Sequence, residues 1–576
     1  MVTLINPALY GQSGNSPYSG LDEFSEKLVM TTDRDLYFTG EQVLMKIYKI
    51  NRKSESPSGL SRIIYAEMLD RSNNPVAQVK IFADGTSGNG RFTVPDTLNS
   101  GNYIIRAYTR WMLNFSESLF SYKIISVINP FKKFTGTAVN GIPSSLPGHE
   151  FINKNGDNIN LENVIGLSVK SDKPEYPYRS KVNIDISSLD PALDLKETDL
   201  SVSVVKSVLA GSGRIGLKED LSDENIKPSF TKDTLQLPEL EGEIISGTMR
   251  DRITNEPLAN TNISLSIVGK YSRCRFGKTN INGEFMFAVD RLYGMNDMVI
   301  QPMNLNKNGY YVELNQPFTS TFIDFPVPEF YLDSTMAGLI NNAIISMQVT
   351  KSYASFVQKH DGRLKPEKKT EFYDTPDRRV YLSDYIELTN IREVVREILP
   401  EVIVTGRDEN ARIKVTYRNP YGKFENPALV LVDGVPVRNI GKLLEVASKF
   451  MERIDIINVR YFYSDFVFDG IISFVTKKGN LSDLGYDDSV FRQVFEGCSE
   501  PQEFYSPTYE TDSLKNGHLP DFRNTLFWDP VINTGNGGKT NVEFYTSDEP
   551  GIYLIRVDGL TIQGKPVSGR STFRVK

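Results

Sequence analysis

Cysteine, histidine and tryptophan are nearly absent from these 576 residues, which contain two, three and two of them. Two cysteines, Cys274 and Cys498, cannot build a disulfide framework. With three scattered histidines they leave no clustered ligand set for zinc and no redox pair. A basic surplus is missing too. Lys and Arg number 65 against 72 Asp and Glu, a formal charge of −7, with both signs mixed along the chain. That balance argues against a nucleic-acid partner, which would normally meet a basic face. No apolar run reaches ~18 residues and no heptad persists, so helical membrane spans and coiled coils are excluded. What is present is a chain that is 39 % hydrophobic with 28 Tyr and 32 Phe, which rules out global disorder. At about 150 residues per domain it divides into roughly four.

The dominant pattern is period-2 alternation, as in Val182-Asn-Ile-Asp-Ile186 and Leu200-Ser-Val-Ser-Val204. Strands of this kind bury one face only, which suits antiparallel sandwiches. Turn pairs that tolerate positive φ separate the extended runs: Asp84-Gly85, Asn89-Gly90, Asn282-Gly283, Asp433-Gly434, Asp469-Gly470 and Asp558-Gly559. Helical spacing is confined to Ser334 to Phe356 and Ile440 to Arg453. The fold class expected is mainly β: tandem Ig-like antiparallel sandwiches plus a small α+β domain.

A first sandwich spans 26–130, with seven strands near 27–32, 43–50, 61–70, 75–82, 90–94, 102–109 and 120–128. Residues 1–25 form a leader, read either as the tail of a secretory signal peptide or as an ordinary disordered start. A linker over 131–165 follows. The chain then repeats itself: Asp33, Tyr37, Val43, Met45 and Ile47 recur 139 residues later as Asp172, Tyr176, Val182, Ile184 and Ile186. The second copy stops short, and its missing half is expected near the chain end. Gly101-Asn-Tyr-Ile-Ile-Arg-Ala107 is matched by Gly551-Ile-Tyr-Leu-Ile-Arg-Val557. A half-sandwich would expose an apolar sheet face, so 166–209 and 520–576 are read as one discontinuous sandwich with everything between them inserted.

Within the insertion, 240–325 carries Gly247-Thr-Met-Arg-Asp251, Glu256 to Leu265, and Lys278-Thr-Asn-Ile-Asn-Gly-Glu-Phe285. This resembles a carboxypeptidase regulatory-like β-sandwich, with Phe285 and Phe287 facing inward. A helical or linker segment, 330–395, follows. Residues 396–480 then carry Leu399-Pro-Glu-Val-Ile-Val-Thr-Gly406, Pro427-Ala-Leu-Val-Leu-Val-Asp-Gly-Val-Pro-Val437, Phe450 to Ile456, and Tyr463 to Lys478. These blocks, in this order, resemble the plug of TonB-dependent outer-membrane receptors. Only 97 residues follow Gly479, too few for a receptor barrel at ~10 residues per strand plus turns, so the resemblance implies a plug-like fold without its pore. Residues 481–519 are read as a linker. The flanking sandwiches, through Thr32-Asp-Arg-Asp-Leu-Tyr-Phe-Thr-Gly-Glu41 and Ser100 to Tyr108, resemble macroglobulin-type domains. The ending Pro520 to Pro530 is similar to a group of Gram-negative outer-membrane-associated proteins that combine these modules.

Chemistry is sparse. Gly497-Cys-Ser-Glu-Pro-Gln502 departs from the macroglobulin thioester motif by a proline and one extra residue, so Cys498 reads as a buried thiol. His149, His360 and His518 sit in polar surroundings, and Asp33 and Asp35 read as a turn-stabilising pair rather than a Ca²⁺ site. Arg363 to Lys369 reads as a solvated linker. No catalytic residue, metal or cofactor is expected. The candidate binding face is carried by the plug-like turns Asp433, Gly434, Asp469 and Gly470, with Tyr461, Tyr463 and Phe466 read either as core or as an exposed docking patch. The implied function is a non-enzymatic adaptor associated with the outer membrane, periplasmic or surface-exposed, serving transport or surface assembly. Its partner would be an outer-membrane barrel or another envelope protein. The alternatives are a surface protein binding glycan or peptide, and a macroglobulin-like protease trap without a thioester.

Overall fold

The computed structural model describes residues 20–133, 137–139, 165–210, 235–304, 309–323, 327–353, 370–416, 424–482, 490–532, 534 and 539–576. They form two compact units. The first comprises 1–240, 318–364 and 498–576, and the second 241–317 and 365–497. The chain is mainly β. Among the described residues no helix is long and apolar enough to cross a membrane.

The first unit opens with strands β1 (Glu26–Thr32), β2 (Leu36–Phe38), β3 (Gln42–Asn51), β4 (Ile63–Leu69), β5 (Pro75–Asp84), β6 (Ser87–Thr93), β7 (Gly101–Tyr108) and β8 (Ser121–Ile128). They are ordered β1-β3-β6 and β5-β4-β7-β8-β2. Alternation sets the layers: Val43, Met45 and Ile47 on β3, and Ile64, Ala66 and Met68 on β4, are all buried. Seven strands match the alternating runs. The eighth, β2, lies parallel to β8 and is too short to show a period. The expected linker 131–165 is not wholly without structure, since Thr137–Val139 pairs in parallel with Tyr331–Asp333.

Strands β9 (Ile165–Ser171), β10 (Glu175–Tyr176), β11 (Lys181–Ser188) and β12 (Thr198–Lys206) begin a second copy. The repeated residues build one device twice. Asp33 Oδ1 accepts the Tyr37 hydroxyl at 2.8 Å and the Leu44 N–H at 3.2 Å, while the Asp33 N–H donates to Leu44 O at 3.0 Å. Asp172 Oδ1 accepts the Tyr176 hydroxyl at 2.6 Å and the Asn183 N–H at 2.9 Å, while its own N–H donates to Asn183 O at 3.0 Å. An aspartate thereby closes the turn onto the following strand.

The second unit starts with a small sandwich, β13 (Ile244–Asp251), β14 (Asn262–Ile267), β15 (Arg273–Lys278), β16 (Glu284–Ala288), β17 (Met295–Pro302) and β18 (Tyr310–Leu314). Phe285 and Phe287 lie in its core with Met249, Leu265, Met298 and Ile300. In the Asn282-Gly283 turn, Gly283 has φ +75°, and a Cβ there would fall 2.6 Å from Met249 O; the position takes only glycine comfortably.

Next comes helix α1 (Ala337–Tyr353), which belongs to the first unit and packs Ile340, Ala343 and Met347 on Phe38, Val205 and Leu209. Back in the second unit, β19 (Arg378–Tyr381), α2 (Ile391–Ile398), β20 (Val402–Thr405), β21 (Arg412–Val415), β22 (Leu429–Val432), β23 (Val435–Pro436), α3 (Ile440–Leu444), β24 (Met451–Tyr463), β25 (Phe466–Thr476) and β26 (Phe491–Glu496) complete it. A five-stranded sheet runs β19-β24-β25-β22-β23.

Three expectations need correction here. The helix over 440–453 ends at Leu444, because the Ile391 N–H takes Val446 O and the Ser448 N–H takes Thr389 O, drawing 446–448 into an extended bridge. The unit read as 396–480 does not begin at 396: β19 and most of α2, from the supposed linker 330–395, supply the edge strand of its sheet and part of its core. The supposed linker 481–519 contains β26, which pairs with β17 and packs Phe491 and Phe495 on the small sandwich. Two inward phenylalanines, with Val494 out of phase among Arg492, Gln493 and Glu496, are too thin a pattern to announce it.

Finally β27 (Thr525–Asp529), β28 (Lys539–Tyr545), β29 (Gly551–Thr561) and β30 (Pro566–Val575) return to the first unit. They hydrogen-bond with β9–β12 in two layers, β9-β11-β28 and β27-β12-β29-β30-β10. Strand for strand this repeats β1-β3-β6 and β5-β4-β7-β8-β2, with the parallel β10–β30 contact standing for β2–β8. The long insertion falls between β12 and β27, where the first copy has only the turn between β4 and β5.

Candidate functional site

The residues proposed from sequence do not converge on one face. Asp433 is fully buried, and its carboxylate accepts the Thr476 N–H and hydroxyl, each at 2.7 Å, and the Leu481 N–H at 2.9 Å. It closes the chain over the end of β25. Gly434, at φ +82°, turns against the 267–273 loop, where a Cβ would sit 3.1 Å from Ser272 Cα. Neither residue is presented for docking.

Tyr461, Tyr463 and Phe466 are half-buried. Phe276 lies 5.3 Å from Tyr463, 5.8 Å from Phe466 and 4.8 Å from Phe468, and the Tyr461 hydroxyl donates to Phe372 O at 2.7 Å. These rings form the inward face of the β24–β25 hairpin. Burial pushes both tyrosine pKa values up. All three rings are thus placed half-buried against the Phe276 cluster.

Asp469 and Gly470 lie on the other face. Burial is the largest single influence on Asp469 and works against its charge, but Arg460 at 2.8 Å and Asn426 at 3.0 Å together outweigh it and hold the carboxyl below its ordinary value. Gly470, at φ +87°, starts the straight run of β25. Beyond this pair the hairpin turns its apolar side outward. Phe462 and Val467 are direct cross-strand partners, 69 % and 55 % exposed, and Val459 nearby is 42 % exposed. The sequence reading chose Tyr461, Tyr463 and Phe466 and missed Phe462 between the first two. The signal was parity: once Tyr461 and Tyr463 face in, Phe462 must face out.

Two buried carboxylates elsewhere in the second unit are engaged by arginines. Asp455 accepts Arg379 at 2.7 and 2.8 Å and the Tyr373 hydroxyl at 3.0 Å, and Glu371 accepts Arg453 at 2.8 Å and the Ser272 N–H. Burial raises the Glu371 pKa against these donors. Cys274 is buried, which pushes its thiol up to about 12, so it stays protonated. Cys498 is buried as well. His149, His360 and Arg363 to Lys369 lie outside the described residues, as does most of the 1–25 leader. Chemically, the outward hairpin face offers apolar contact and strand edges.

No family model matches the chain, and no curated protein matches it. Among solved structures it is similar to α-2-macroglobulin from Salmonella reacted with methylamine, at 9 % identity and a TM-score of 0.23, covering 96 % of this chain and 40 % of that one. A native E. coli α-2-macroglobulin gives the same values. PorU from Porphyromonas gingivalis follows at 10 % identity and a TM-score of 0.15, covering 50 % of this chain and 33 % of that one. The chain thus spans about two fifths of the macroglobulins' length. Values this low carry no argument, and the sandwich architecture rests on the strand pairings above.

Proposed function

We propose that this chain is a non-enzymatic adaptor of the cell envelope, associated with the outer membrane, which docks a protein partner through its second unit and serves transport or surface assembly. The observation that carries this reading is the outward Phe462–Val467 pair on the long β24–β25 hairpin, whose opposite face is already filled by the Phe276 cluster. Exposed apolar residues paired across two strands and rimmed by the Arg460–Asp469 ion pair fit a contact surface of apolar centre and charged edge. The plug-like order of blocks supports an envelope barrel, or another envelope protein, as the partner. The test is a photo-crosslinking amino acid at position 462, with position 463 as the inward control, in cells expressing the full chain. A crosslink to an envelope protein from 462 and none from 463 is expected. Capture of nothing from 462, or recovery of the chain in the cytosol alone, overturns the reading.

A further inference from the structure

The matched Gly-x-Tyr-x-x-Arg segments put one arginine at the same place in both sandwiches of the first unit. Arg106 on β7 and Arg556 on β29 point away from their own cores, yet they are only 1 % and 4 % exposed. Each is covered by something outside its own sandwich. Over β29 lies the first sandwich: Arg556 donates to Thr32 O, the Ser203 hydroxyl to Asp33 O at 2.5 Å, and the Thr525 hydroxyl to Asp33 Oδ2 at 3.1 Å. Over β7 lies a strap of irregular chain, residues 318–323. Arg106 Nη2 donates to Thr319 O at 2.8 Å and Nη1 to Thr321 O at 2.7 Å, while the Thr319 N–H donates to the Tyr108 hydroxyl at 2.9 Å. Phe318 meets Tyr65 edge-on at 5.4 Å, and Phe322 stacks 4.1 Å from the guanidinium. Glu67, bonded to Arg106 Nε at 2.6 Å, fixes the fork.

Both covers are therefore held by main-chain carbonyls, but they are unequal. The first sandwich meets β12 and β29 at further points as well, Lys46 donating to Leu200 O and the Tyr48 hydroxyl to Asp558 O at 3.3 Å each. The strap lies shallow, with Thr321 and Phe322 exposed, and every polar contact named above is to its backbone. Contacts of that kind read an extended polypeptide rather than a particular side chain, and only the two phenylalanines, four residues apart, add selectivity.

We infer that the outward face of β4 and β7 is a docking surface for an extended, uncharged polypeptide segment with aromatic residues four apart, and that the chain's own strap fills it in cis. A tethered occupant acts at an effective concentration on the order of millimolar, so a partner segment enters only where the strap is loosened or outcompeted. The inference uses the first unit alone and does not depend on the hairpin contact proposed above.

The test uses the full chain and a labelled peptide of residues 316–323. The Phe318→Ser/Phe322→Ser variant should bind the peptide at least ~10-fold more tightly than the parent, measured by fluorescence anisotropy. Adding Arg106→Lys, which removes the fork but keeps the charge, should abolish that gain. Equal binding by parent and variant, or indifference to Arg106→Lys, overturns the inference. Should the double variant fail to fold, hydrogen exchange on the parent decides. The Thr319 and Thr321 amides should exchange ~100-fold or more faster than those of β7; protection equal to β7 makes the strap part of the cooperative core and overturns the inference as well.

Discussion

The two aspartate–tyrosine turns of the first unit share the bond from the tyrosine hydroxyl and the paired bonds to the following strand, but little of their surroundings. Asp33 and Tyr37 are buried beneath the second sandwich, where Thr525 and Ser203 reach them, whereas Asp172 is exposed. Burial raises the Asp33 pKa against the pull of Arg34, Tyr37 and the Leu44 N–H. For Asp172 burial is again the largest single influence, but the Tyr176 hydroxyl, the Asn183 N–H and the nearby Lys173 together outweigh it and lower the pKa. Identical local geometry thus carries opposite electrostatics. The repeated residues set the turn, and what the turn packs against sets the sign of the shift.

Substitutions at matched positions break this comparison, beginning with the largest difference. Arg106→Met leaves the Glu67 carboxylate buried without its cation, with the Gln78 amide at 2.7 Å and the Tyr108 hydroxyl as neutral partners, and a loss of about 3–5 kcal/mol is expected. Arg556→Met should cost less, about 1–3 kcal/mol, because Asp558 keeps Ser568 at 2.8 Å and the nearby charge of Arg570. Urea unfolding of the full chain measures both; equal losses would mean that the cover, not the ion pair, holds these faces. Next comes Tyr37→Phe, which takes one donor from Asp33 Oδ1 and from Arg34 O and leaves the buried Arg34 N–H without its acceptor, for about 1–3 kcal/mol. Tyr176→Phe should cost about 0.5–1.5 kcal/mol, since exposed Asp172 regains a water.

Legibility in the sequence followed periodicity closely. The alternating strands of the first sandwich and the 139-residue repeat were readable because each carries four or more residues in phase. β2 and β26 were not, having one or two inward side chains each. The hairpin of β24 and β25 misled differently: both its faces are apolar at the tip, so composition marked Tyr461, Tyr463 and Phe466 without saying which face the core takes. Only the neighbouring Phe276, nearly two hundred residues away in sequence, decides that. The strap over Arg106 has no periodicity at all. Its place is set by an arginine on another strand, a long-range contact that single-sequence reasoning does not see.

The pH dependence sharpens the same contrast. For Asp33 the folded pKa lies above the ordinary value, so between the two the native state holds the extra proton and stability falls as pH rises. For Asp172 the folded pKa lies below it, so in that window the unfolded chain holds the proton and stability falls as pH drops. Asp33→Asn keeps an acceptor for Tyr37 and should remove the fall on the alkaline side of the ordinary value. Asp172→Asn should remove the fall on the acid side. Thermal unfolding from about pH 2.5 to 6 checks both; slopes of one sign in the two variants would mean that the turns share an environment.

The smallest difference is expected at the tyrosines that open β7 and β29. The Tyr103 hydroxyl donates to Asn99 O at 2.9 Å and the Tyr553 hydroxyl to Glu549 O at 3.0 Å, the same step of four residues back across the same turn. Both bonds are internal to one sandwich, so neither the strap nor the docked first sandwich should matter to them. Tyr103→Phe and Tyr553→Phe should each cost about 0.5–1.5 kcal/mol. The two share no partner, so the double variant should cost their sum to within about 0.5 kcal/mol. Agreement would separate a corner that each sandwich carries by itself from the Asp33 turn and the Arg106 face, which depend on what covers them. A Tyr553 loss much larger than the Tyr103 loss would show that docking of the first sandwich reaches through β29 into the turn, and the two copies would then differ in their cores as well as in their covers.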